Sequence, residues 1–202
     1  GDHRDLHSFP TRRSSDLVPN NALIEYILDC VSWWLLEIGI DGFRLDVPDE
    51  VPWWFWQMFR KHVKDINPNA WLVGEIWSDA TPWVSQFYFD SVMNYAYFKN
   101  PVLEFFVLKL IEKDSFMRII EEGLAKYQGN AIHSMMNLLG SHDTVRILEL
   151  AKGDINKVKH AVFFQMTFIG APHVYYGDEI GMLGGNDRSE EHTSELQSPN
   201  TI

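Results

Sequence analysis

The 202-residue chain holds a single cysteine, Cys30. That excludes an internal disulfide framework, and its apolar helical surroundings make it an expected small core residue. No run approaches the roughly 20 apolar residues that a membrane-spanning helix needs, and the first residues lack the basic-then-apolar layout of a secretion signal. Basic side chains are also scarce: 17 Lys and Arg face 28 Asp and Glu, a formal net charge of −11. Nucleic acid and anionic membrane both demand a concentrated basic surface, so neither is an expected partner, and a neutral substrate fits better. A nucleotide-binding enzyme would want a Gly-rich loop directly after an early strand, whereas Gly184-Gly185 stand near the far end. His133, His160 and His173 show no metal-ligand spacing and are expected to be structural. No cofactor is identifiable.

What is present is apolar residue in quantity, 46% of the chain with 14% aromatic, enough for one substantial core. It is unevenly placed. Residues 1–17 and 188–202 are polar, unperiodic and rich in Ser, Thr, Arg and Glu. His7 through Leu17 and Arg188 through Ser198 match, residue for residue, the translated arms of a sequencing-library adapter. Both ends are therefore expected to be foreign to the natural protein, which leaves 18–187 to interpret. That stretch carries 13 basic and 22 acidic residues, −9, so the acidic character is its own.

Within it, helical and extended patterns alternate without repeats. Asn21 is placed to cap a helix whose Leu23, Ile24, Ile27, Leu28, Val31, Trp34, Leu35 and Ile38 recur at helical spacing, with Gly39 as its stop. In 41–47 a period of two sets Phe43, Leu45 and Val47 on one face, Arg44 and Asp46 on the other. Residues 53–63 then read as a helix and 70–77 as a strand. Further strands are predicted at 87–94, 132–139 and 173–176, and further helices at 102–111, 115–127 and 156–168. Met135-Met136 and most of Trp53-Trp54-Phe55-Trp56 are expected to be core. Strands separated by helical crossovers imply parallel pairing with helices outside. A doubly wound sheet and a (β/α)8 barrel both satisfy that pattern.

Three acids stand out. Asp46, Glu75 and Asp143 each fall at or just past the C-terminal end of a predicted strand, where catalytic groups converge in a barrel. An isolated Asp there is most often a cap. A Glu inside Val73-Gly74-Glu75-Ile76-Trp77 is harder to dismiss, because burying a carboxylate without a partner is costly.

In combination they are far more specific. Gly42-Phe43-Arg44-Leu45-Asp46, Gly74-Glu75-Ile76-Trp77 and Ser141-His142-Asp143 resemble, in order, the fourth-, fifth- and seventh-strand motifs of the α-amylase superfamily. The resemblance extends over 18–187, including Tyr175-Tyr176-Gly177-Asp178-Glu179-Ile180-Gly181-Met182 after the eighth strand. Val47, Glu50-Val51, Val92-Met93-Asn94-Tyr95 and Gly184-Gly185-Asn186-Asp187 are most similar to the neopullulanase, cyclomaltodextrinase and maltogenic amylase group.

The resemblance implies an α/β fold, a partial (β/α)8 TIM barrel of about strands 4 to 8, and a retaining hydrolase of α-1,4-glucosidic bonds in an α-glucan oligosaccharide. Asp46 would be the nucleophile, Glu75 the acid and base, and Asp143 the stabiliser of the distorted ring. Arg44 would keep Asp46 ionised while a drier Glu75 stays protonated. His142 would bind a sugar hydroxyl and Trp77 would offer a sugar platform, although a Trp ending an apolar strand is often core. The family's first three barrel strands, with an Asp and a His that hold substrate, are not found. Calcium is possible in that missing part, and the 202-residue chain alone is expected to be inactive and prone to aggregate. A homodimeric parent and a cytoplasmic location follow from the subgroup. A transglycosylase or isomerase of the same superfamily is the nearest alternative. A non-catalytic glucan-binding or transporter-associated homologue would be expected to lack one of the acids.

Overall fold

The computed structural model describes residues 20–127 and 129–185, which fall into two compact units, 20–76 with 82–92 and 77–81 with 93–185. The adapter-like ends lie outside the described residues, as do Asn186 and Asp187.

The first unit opens on α1 (Asn21–Trp33), capped by the Asn20 side chain, which accepts from the Leu23 N–H at 3.2 Å. A π-helical turn, Trp34–Ile38, ends at Gly39 in the left-handed region, where glycine carries no Cβ penalty. β1 (Gly42–Leu45) follows, then α2 (Trp53–Ile66), β2 (Trp71–Gly74) and β3 (Ser91–Val92). The sheet order is β1-β2-β3 and every pairing is parallel, as the crossovers require. Gly42 stands against Trp71, where a Cβ would come within 2.0 Å of the Trp71 carbonyl oxygen, so only glycine lets β1 begin in this register. Asp90 ties this end together, pairing with Arg60 at 2.8 Å and Lys64 at 2.9 Å while accepting from the Leu72 N–H. Burial pushes its carboxyl up, but hydrogen bonds from Lys64, Arg60 and Leu72 outweigh that and hold it below its ordinary value.

The second unit continues with a π-helical turn (Tyr95–Lys99), α3 (Asn100–Val102), a second π-helical turn (Leu103–Leu108), α4 (Lys113–Lys126), α5 (Asn130–Ser134), β4 (Met136–Leu138), α6 (Ile147–Leu150), α7 (Ile155–Thr167) and β5 (Ala171–His173). β4 pairs with β5 in parallel, and Met93 makes a parallel bridge to Met136. Phe98, Val102, Val107, Phe116, Ile120 and Leu139 are buried together with Val158 and Ala161 of α7. Gln165 of α7 donates to the carbonyls of Asn137 and His173, both at 2.8 Å, and so fixes the helix across the two strands. The Asp154 side chain caps α7, accepting from Asn156 and Lys157 N–H groups. Asp154→Ala is expected to cost about 1 kcal/mol, read as a lowered Tm in the full-length protein.

Several expectations need correction. Val47 does not continue β1 but turns into the left-handed region at φ 40°, so it leaves the face of Phe43 and Leu45. Residues 132–134 belong to α5, leaving a three-residue β4. The strand predicted at 87–94 shrinks to Ser91–Val92, and that at 173–176 shifts back to Ala171–His173. Helical turns begin at Tyr95, seven residues before 102, and Pro101 falls where the π-helical turn Tyr95–Lys99 gives way to α3. Cys30 is half-buried, and of the aromatic cluster Phe55 and Trp56 are core while Trp53 and Trp54 are exposed.

Candidate active site

In the first unit, β1 and β2 run side by side to the pair Leu45–Gly74, and the ladder continues with the Glu75 N–H donating to the Leu45 carbonyl at 2.9 Å. One more residue along each strand brings up Asp46 and Glu75. Adjacent strands are about 4.8 Å apart, so this register alone delivers two carboxylates to neighbouring positions. Arg44, two residues before Asp46, reaches both. Its Nη1 pairs with Asp46 Oδ1 at 2.5 Å and its Nη2 with Glu75 Oε1 at 2.8 Å. The Asp46 side chain is 67% exposed and that of Glu75 is 5% exposed.

The second Arg44 contact departs from the sequence expectation, which gives this arginine to Asp46 alone. Glu75 also accepts from the Val47 N–H at 3.2 Å. That bond depends on the turn at Val47, a β-branched residue in the left-handed region and therefore strained. The strain sits immediately after Asp46 and aims a backbone donor at the other carboxylate.

In the second unit, β4 leads into Ser141-His142-Asp143. His142 Nε2 lies 3.1 Å from Asp143 Oδ2, with the two side chains 62% and 35% exposed. The loop closes on itself: Thr144 N–H donates to the Ser141 carbonyl, the Ser141 N–H to Thr144 Oγ1 at 3.0 Å, and the Asp143 N–H to Ser141 Oγ at 3.3 Å. Trp77 is half-exposed and lies flat on Tyr95, ring centroids 4.3 Å apart and planes 10° from parallel. It is therefore no core residue, and it presents an indole held from behind. Tyr95 is fully buried, and its hydroxyl and Ser141 Oγ share a hydrogen bond of 3.2 Å. Tyr95 and Ser141 stand in the quoted motifs without roles. Only their packing reveals one.

The turn after Trp77 is anchored by Asp79. It takes Lys126 Nζ at 2.6 Å and the Thr81 N–H at 3.0 Å, and Lys126 also reaches Glu122. Burial alone would raise the Asp79 carboxyl. Hydrogen bonds from Lys126 and Thr81, with the Lys126 charge, overcome this and hold it down at about 2. A depressed carboxyl contributes stability that is complete above its unfolded value near 4 and is lost as pH falls towards 2. Trp77 fluorescence in the full-length protein is expected to be flat down to about pH 4 and to change below it, with Lys126→Met moving the change to higher pH.

Among the described residues no group of three or more His, Cys, Asp or Glu side chains is placed to hold a metal ion, and no helix is long and apolar enough to cross a membrane.

The family model for the α-amylase catalytic domain matches residues 5–201. The cyclomaltodextrinase of Thermoanaerobacter pseudethanolicus is 44% identical over 171 residues, 85% of this chain and 30% of that protein. Neopullulanase 2 of Thermoactinomyces vulgaris is 46% identical over 83% of this chain and 28% of its own length. Among solved structures, the cyclic α-maltosyl-(1→6)-maltose hydrolase of Arthrobacter globiformis superposes with a TM-score of 0.81 at 34% identity, covering 84% of this chain and 38% of that one. A cyclomaltodextrinase structure gives 0.80 at 45% identity, covering 83% and 29%. The chain thus spans less than a third of the curated relatives it matches. It shares the α/β architecture of TIM-barrel-type neighbours, and with a family match over nearly its whole length it belongs to the α-amylase family.

Proposed function

We propose that the full-length protein carrying this segment is a retaining hydrolase of α-1,4-glucosidic bonds in maltooligosaccharides, cyclodextrins or related α-glucans. The observation that carries this reading is the Arg44 fork onto Asp46 and Glu75 at the ends of two paired parallel strands. A retaining glycosidase needs two carboxyl groups close enough for one to attack while the other protonates, about 5 to 5.5 Å apart. Neighbouring positions on adjacent strands suit that separation, and the names of the relatives suit the substrate class.

In this reading the exposed Asp46 carboxylate attacks the anomeric carbon, forming a β-glycosyl ester as the leaving oxygen takes a proton from Glu75. Glu75 then removes a proton from water, which displaces Asp46 and regenerates the α-anomer. Asp143, with His142 beside it, binds ring hydroxyls and favours the oxocarbenium-like transition state. Trp77 receives a sugar face on its open side. Arg44 is a positioning residue that orients both carboxylates before substrate arrives.

The parallel pairings and helical crossovers support assigning the segment to about strands 4 to 8 of a (β/α)8 barrel. The 36% identity to the intracellular maltogenic amylase of Bacillus subtilis, over 92% of this chain, supports a cytoplasmic location for the full-length protein. The test is NMR of the full-length protein acting on maltooligosaccharide. The α-anomer is expected as the first product, and initial release of the β-anomer would refute the retaining mechanism.

A further inference from the structure

Three residues after Asp143, Arg146 is almost completely buried, with 1% of its side chain exposed. Its Nη1 donates to the Tyr176 carbonyl at 2.6 Å and to Asp178 Oδ1 at 3.1 Å. The guanidinium carbon lies 4.7 Å from the Tyr175 ring centroid and 4.8 Å from that of Tyr176, so both rings bear on it. Its backbone N–H donates to the Gly184 carbonyl at 3.1 Å. A single residue therefore fastens the stretch after β5 at three points, Tyr176, Asp178 and Gly184.

Asp178 works on the other end of the same loop. Its Oδ2 lies 3.1 Å from where a Cβ on Gly140 would be, so the carboxylate closes against the backbone just before Ser141. The Asp143 loop is thus bounded by Asp178 at its start and by Arg146 at its finish, and the two bounding side chains are an ion pair. Burying such a pair is costly, and apolar residues of similar size would often do as well for stability alone. What apolar residues cannot supply is a directional fork that fixes one loop against another.

We propose that Arg146 and Asp178 form a latch that positions Asp143 for catalysis, making the stretch 174–184 part of the catalytic apparatus without touching substrate. The inference rests on the reading of Asp143 as the transition-state carboxylate. Both latch residues are positioning residues, acting through the backbone of 140–146. Loosening the latch moves Asp143 by a fraction of an ångström, which weakens transition-state contacts more than ground-state binding.

The experiment uses the full-length protein and four variants: Asp178→Asn, Arg146→Lys, Asp143→Asn and Asp178→Asn with Asp143→Asn. Activity is read on an aryl maltoside and normalised to the fraction of molecules labelled by a mechanism-based inhibitor, which removes losses due to unfolding. Asp178→Asn is expected to lower kcat by about tenfold to a hundredfold with KM within about twofold. Arg146→Lys, which keeps the charge and loses the fork, is expected to do the same and serves alone if Asp178→Asn does not fold. In the Asp143→Asn background, where the positioned group is already gone, Asp178→Asn is expected to change kcat by less than about twofold. Equal loss in both backgrounds, or a normalised kcat unchanged in both latch variants, overturns the latch. A normalised kcat unchanged in Asp143→Asn itself overturns the underlying reading of Asp143, a distinct result.

Discussion

Asp46→Asn in the full-length protein is expected to lower kcat on maltooligosaccharides by about 10⁴-fold or more while leaving KM within a few-fold. Asparagine has nearly the shape of aspartate and keeps an oxygen for Arg44 Nη1, so the arrangement around Arg44 and Glu75 survives. It cannot form the glycosyl ester, and without that intermediate the two-step route is closed. Because Asp46 is well exposed and stands beyond the last ladder pair of β1, its replacement is not expected to lower Tm. Steady-state kinetics with a Tm measurement check this. A variant within tenfold of the parent would remove Asp46 as the nucleophile.

The elements legible in the sequence are those that depend on local periodicity. The Leu23 to Ile38 repeat, the run from Trp53 and the run before Phe168 are all helical, because each has enough turns to show an apolar face. The strands are legible in place but not in length. β3 and β4 have two and three residues, too few for a period of two to declare itself, and Ile132 reads as strand by its branching while its neighbours fold as α5. Val47 shows the same limit more sharply. Its side chain favours strand, but the chain turns there, and its N–H goes to a carboxylate 28 residues away.

The site divides in the same manner. The candidate acids can be picked out in sequence because the motifs that carry them are short and contiguous. The groups that hold them in place cannot be. Arg44 can be assigned to Asp46 from spacing, but its second partner depends on which strand lies beside β1. Arg146 lies outside the motifs, and its burial follows from Tyr175, Tyr176 and Asp178, which return to it from beyond α7. Trp77 reads as core and as platform alike until Tyr95 is placed behind it.

Glu75→Gln separates the acid role from every structural one. On maltooligosaccharides a loss of about 10³-fold in kcat is expected, because the sugar oxygen leaves poorly without a proton. On α-maltosyl fluoride the first step needs no proton, so a rapid release of fluoride, about one equivalent per enzyme, is expected, followed by a slow phase limited by the missing base. Azide, which attacks without base assistance, is expected to speed that slow phase and give the α-glycosyl azide, since it enters from the face that the leaving group vacated. Arg44 and the Val47 N–H both donate to Glu75, one to each carboxyl oxygen. The introduced glutamine can still accept from either donor, but it has no proton to deliver at a useful pKa. If fluoride release is as slow as maltooligosaccharide cleavage, Glu75 acts through the position of Arg44 and the acid must be sought elsewhere. If azide yields the β-anomer, the covalent intermediate through Asp46 is not formed.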